Sequence, residues 1–118
     1  MEDKEMLYKA AQAAGFSVRY VEAFTRYNYT GYLRLTKEHH NNGYPVWIRW
    51  DPINSNADAF ELAVLLRIST VFSGKNRFQV RQGLPGFDIC AEIAGKDPWS
   101  VVRYAIVREA SNLPPMEL

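Results

Sequence analysis

WDPINSNADAFELAVLLRI, residues 50–68, changes the period of the chain at its middle. Asp51-Pro52 closes an extended run, and Ser55 followed by Asp58 fits the capping-box pattern, in which a hydroxyl accepts an otherwise unpaired N–H of the first turn. A helix is therefore expected to begin beside Ser55. Ala59, Leu62, Ala63 and Leu66 form one stripe, and Phe60, Val64 and Leu65 widen it. A helix apolar on so much of its circumference must be covered on more than one side, which makes it the expected central, buried helix. An echo lies at 97–110, DPWSVVRYAIVREA. There Asp97 is an N-cap and Pro98 occupies the first helical position, where a missing N–H costs nothing. Val102, Ala105, Ile106, Ala110 and Leu113 give this last helix its buried stripe, leaving Arg103, Tyr104, Arg108 and Glu109 on the polar side, before Pro114-Pro115 ends it.

Outward from these helices the pattern is a first helix and several short strands. Leu7, Ala10, Ala11 and Ala14 recur at helical spacing from about Asp3, with Gly15 placed for a left-handed cap. Its alanine stripe allows close approach, and it is expected to lie flat on a sheet. Ser17 to Phe24, Gly31 to Thr36 and Val46 to Trp50 alternate β-branched or aromatic residues with polar ones and read as one antiparallel meander. Ser69 to Phe72, Arg77 to Gln82 and Phe87 to Ile93 read as three more strands, with Ser73-Gly74-Lys75-Asn76 and Gly83-Leu84-Pro85-Gly86 as turns. The expected fold is α+β, a mainly antiparallel sheet of about six short strands packed with three helices, in a single domain spanning 1–118. The Pro-Pro-Met-Glu-Leu end reads as a loosely held tail.

At 118 residues, 47% hydrophobic and 23% charged, the composition is that of a globular domain, not a disordered chain. The net charge of +1 supplies no overall field toward nucleic acid or an anionic membrane, so direct nucleic-acid binding is not expected. One cysteine excludes an internal disulfide and a multi-cysteine zinc site, and with no apolar leader or membrane-length run the expected compartment is the cytoplasm.

Motifs that carry chemistry are missing from the pattern, and no enzyme, cofactor or metal is expected. His39 and His40 are adjacent, a poor ligand pair, and read as a polar hairpin tip. Cys90 reads as a structural small hydrophobe or an idle thiol, because nothing beside it in sequence marks a base. Asp88 and Glu92 are separated by roughly 13 Å on an extended strand, too far to share a proton. Gly83, Gly86 and Gly95 form no phosphate-cradling loop, and the helix starts at Ser55 and Asp97 already carry acids that oppose phosphate.

Alternation does predict a surface. With Leu33, Leu35, Val46, Ile48, Phe78 and Val80 turned toward the helices, Tyr32, Arg34, Trp47, Arg49, Arg77, Gln79 and Arg81 face the other way. Arginine interleaved with tyrosine and tryptophan is the composition of interface hot spots, since a planar guanidinium both stacks and makes paired hydrogen bonds. Tyr32, Arg34, Trp47, Arg49, Arg77 and Arg81 are the expected partner-binding residues; cross-strand packing on a solvated face is the plainer explanation of the same pattern.

Three blocks, DKEMLYKAAQAAG at 3–15, WDPINSNADAFELAVLL at 50–66 and DPWSVVRYAIVREA at 97–110, together resemble a family of small phage- and prophage-encoded α-β-α sandwich proteins. The aromatic meander from Tyr20 to Trp47 departs from that family's pattern, and the blocks hold caps and core stripes rather than catalytic groups. The resemblance implies an accessory protein in the cytoplasm of a bacterial host that binds and inhibits a host protein or complex, such as an anti-phage immune effector of the CRISPR-Cas kind. The alternative is a non-catalytic binder that sequesters a small anionic ligand such as a nucleotide signal, with the same arginines as phosphate contacts. A homodimer is a further expectation, because an exposed aromatic sheet leaves apolar area in water.

Overall fold

The computed structural model describes residues 2–22, 28–36, 46–73, 77–82, 89–92 and 97–116, with backbone alone for 71–73, 77–82 and 89–92. In chain order the elements are α1 (Asp3–Ala14), β1 (Val18–Val21), β2 (Gly31–Thr36), β3 (Val46–Trp50), α2 (Asn56–Leu66), β4 (Ile68–Ser73), β5 (Arg77–Gln82), β6 (Ile89–Glu92) and α3 (Pro98–Ser111). The fold is α+β with three helices and antiparallel strands. The strands form two three-stranded meanders, β1-β2-β3 and β4-β5-β6, in place of the single six-stranded sheet expected from the sequence. Each strand pairs with its chain neighbour, and α2, inserted between β3 and β4, separates the two meanders in sequence. No ladder joins them among the described residues.

Capping follows the sequence closely. Ser55 Oγ accepts from Asp58 N at 3.2 Å, while Asp58 Oδ2 turns to the Asp51 N–H at 2.9 Å, not to the N-cap itself. Burial pushes the Asp58 carboxyl up, and that Asp51 hydrogen bond pulls in the opposite direction. Asp97 accepts from the N–H groups of both Trp99 and Ser100 at 3.3 Å. Gly15 adopts φ +75° and ends α1, with its own N–H on Gln12 O and that of Phe16 on Ala11 O.

The core is helical first. Met6, Ala10, Ala11 and Ala14 of α1 share one buried cluster with Ala105, Ile106, Val107 and Ala110 of α3. The first helix thus packs chiefly against the last helix, not flat on a sheet, because alanines on both sides let the two backbones approach. α3 also lies against β4, β5 and β6, and α2 packs on α3 and β4. The first sheet enters the same cluster through Tyr32 and Trp50.

Three further expectations change. α2 is not buried on several sides: Ala59 and Leu62 are covered, but Phe60, Val64 and Leu65 are exposed. Glu109, placed on the polar side of α3 by its charge, is buried. The C-terminal tail is docked as far as Met116, whose N–H donates to Gln12 O at 3.0 Å and whose side chain occupies the space beside Gly15. A Cβ on Gly15 would meet Met116 Sδ, so glycine there serves both the left-handed turn and the tail.

Candidate interaction surface

Antiparallel register decides which side chains share a face of β1-β2-β3. Tyr32 stands opposite Tyr20 and Trp50, and Arg34 stands opposite Val18 and Ile48. Trp50 is fully buried with Phe16 packed edge-on at 5.9 Å, and the Tyr32 hydroxyl donates to Lys4 O of α1 at 3.2 Å. Arg34 pairs with Glu61 of α2 and lies 4.0 Å from the Phe16 ring centroid. The helix-facing side of β2 is therefore Tyr32, Arg34 and Thr36, and the opposite side is Leu33 and Leu35.

This reverses the expected phase of β2. Leucine is the more apolar choice, but tyrosine and arginine bury their rings and stems while their polar ends find a helix carbonyl and a carboxylate. Tyr32 and Arg34 consequently face inward, where the sequence reading turned them outward. The phase expected for β3 agrees with the structure: Trp50 shares the inner side with Val46 and Ile48, so Trp47 and Arg49 alternate to the outer one.

On that outer side two arginines stack on two aromatic rings. The Arg19 guanidinium lies 4.7 Å from the Trp47 ring centroid, and that of Arg49 lies 4.9 Å from Tyr29. Arg19 is on β1 and Trp47 on β3, so the reach between them crosses β2, whose neighbours are about 5 Å away on each side. In register Leu33 lies between Arg19 and Arg49 on this side and is fully buried. Arg19 and Arg49 remain exposed and Trp47 half-buried.

Tyr29 fixes one corner of this surface. Its hydroxyl lies 3.0 Å from Tyr32 O and 3.3 Å from Trp50 O, and a Cβ on Gly31 would collide with it. Burial, followed by the negative charge of Asp51, pushes the Tyr29 phenol up to about 12. It therefore stays neutral, a donor anchored to the backbone with its ring under a guanidinium. The neighbouring cleft of 280 Å³ carries Asp3 and Asp51 as well as Lys4, a mixed lining with no positive excess for holding an anion.

The six sequence-predicted residues do not form one surface. Trp47 and Arg49 lie together on the outer side of the first sheet, and Tyr32 and Arg34 point inward. Arg77 and Arg81 belong to β5 of the other sheet, with their side chains outside the described residues. Arg19 and Tyr29 complete the stacks and escaped the sequence reading. Arg19 becomes visible only through the β1–β2 register, and Tyr29 sits in a connection that alternation does not address. His39, His40, Asp88 and the turn glycines 83, 86 and 95 fall outside the described residues, and Cys90 is described by its backbone in β6. Among the described residues no cluster of three metal-ligating groups occurs, and no helix is long and apolar enough to cross a membrane. No family model, curated protein or solved structure matches the chain.

Proposed function

We propose that this chain is a non-catalytic phage or prophage accessory protein that binds a bacterial host protein or complex, an immune effector being the leading class, and inhibits it by covering its surface. The observation that carries the binding role is the pair of arginine–aromatic stacks, Arg19 on Trp47 and Arg49 on Tyr29, on one side of the first sheet. Stacking holds the Arg19 guanidinium in a defined plane, which lowers the ordering cost when a carboxylate or carbonyl of a partner docks against its edge. Such pre-placed Arg, Trp and Tyr groups are the residue types that dominate interface energetics. The phage origin and inhibitory role rest on the resemblance of the three blocks quoted above.

The test is affinity capture from bacterial host lysate with the full chain and with the triple variant Arg19→Ala, Trp47→Ala, Arg49→Ala, read by mass spectrometry. A specific host protein recovered by the parent and lost by the variant supports the assignment, provided the variant's unfolding free energy stays within about 1.5 kcal/mol of the parent's, three surface changes at up to ~0.5 each. Equal recovery by the two proteins overturns it.

A further inference from the structure

A second surface lies apart from those stacks and takes no part in the function proposed above. Between α2, β4 and α3 runs a groove of 590 Å³. Ala59, Ala63, Val102 and Ile106 line its interior, and Phe60 and Trp99 stand beside it with 70% and 65% of their surfaces in water. Its one charged lining residue among those described, Arg103, is engaged within the chain. Arg103 Nε donates to Ile53 O at 2.7 Å and Nη1 to Asn56 Oδ1 at 2.6 Å. Val64, 45% exposed and four residues on from Phe60, continues the apolar strip along α2.

We propose that this face is a two-fold interface with a second copy of the same chain, Phe60 of each protomer entering the groove of the other. The exposed rings of Phe60 and Trp99 amount to on the order of 250 Å², taking ordinary aromatic side-chain areas. With Val64 added, the strip supplies roughly two-fifths of the ~800 Å² per partner found in a stable pair, before any polar rim is counted. Its chemistry also selects the occupant. Interfaces that form and dissolve are no more apolar than the rest of a surface, whereas homodimer interfaces are more apolar and poor in charge at their centre. A two-fold contact further requires projection and recess on the same patch, and here the protruding Phe60 adjoins a groove floored by two alanines. The apolar circumference of α2 demands cover on several sides, and among the described residues the single chain supplies it toward Ala59, Leu62, Ala63 and Leu66 but leaves Phe60 and Val64 exposed.

Sedimentation velocity on the full chain, from micromolar to millimolar concentration, tests the proposal. The parent is expected to dimerise, with a melting temperature that rises with concentration. Phe60→Lys and, separately, Trp99→Lys should each raise the dissociation constant about thirtyfold or more, as expected for central anchor residues. Tyr8→Lys, also an exposed aromatic but on α1 and away from the groove, should leave association unchanged. Circular dichroism shows that each variant is folded. A parent that stays monomeric throughout the range overturns the proposal, as does a dimer indifferent to both groove variants. A monomer whose groove binds a foreign helix instead, with loss on Phe60→Lys, overturns it equally. None of these outcomes bears on the arginine–aromatic stacks of the first sheet.

Discussion

The two sides of the first sheet are built from the same chemical types and put to opposite uses. The inner side sets Tyr32, Arg34 and Trp50 against the helices, where the tyrosine hydroxyl finds Lys4 O and the guanidinium finds Glu61. The outer side sets Arg19 on Trp47 and Arg49 on Tyr29, with both arginines exposed residues. Residue type alone therefore does not mark a binding surface. What separates the two sides is what each guanidinium lies against: a helix carboxylate and the Phe16 ring for Arg34 inside, and the rings of Trp47 and Tyr29 for the exposed Arg19 and Arg49 outside.

That contrast yields a graded set of outcomes. Trp50→Ala should cost about 3–5 kcal/mol in denaturant unfolding, the range for removing a large buried aromatic. Trp50→Phe should cost much less, because Trp50 Nε1 is buried without a hydrogen-bond partner among the described residues and that burden goes with it. Arg34→Ala should cost about 1–3 kcal/mol, since it removes a partly buried ion pair and the cation over Phe16 together. If Arg34→Ala proves neutral to stability and instead abolishes partner capture, the division between inner and outer sides fails.

The smallest effect is on pH dependence. Tyr29 has its ring on the outer side and its hydroxyl against the β2 and β3 backbone. Its folded value is raised to about 12 from the ordinary 10.0, so the unfolded chain loses the phenolic proton first as pH rises. Its stabilising contribution is whole below pH 10, declines between 10 and about 12, and is gone above that. After allowance for solvent around a partly exposed ring, the decline is about 1–2 kcal/mol. Urea unfolding along that range should show it, and Tyr29→Phe should flatten it, leaving the smaller share from Tyr32, which burial also raises.

Most of the local structure was legible in the sequence because local physics writes it. Ser55, Asp97, Pro98 and Gly15 mark helix ends through hydrogen bonds and backbone angles that involve only their neighbours. The strands of the two meanders were legible through alternation. What was not legible depends on partners far along the chain. The phase of β2 was misread because Tyr32 and Arg34 are at home inside only when Lys4 and Glu61 are there to receive them. Two sheets were read as one since strand propensity says nothing about which edges meet. Half of the candidate surface, Trp47 and Arg49, followed from alternation in β3, and the other half, Arg19 and Tyr29, needed the register.

The pairing of α1 with α3 governs when this molecule can finish folding. Tyr104 and Asp3, joined by a 3.4 Å hydrogen bond, are 101 positions apart, and Met116 closes on Gln12 beyond them. A chain emerging from the ribosome holds the alanine stripe of α1 without a mate until α3 has been synthesised. Closing so long a loop is entropically costly and is repaid only when α3 arrives, so assembly of the α1–α3 core waits for the whole of the intervening sequence.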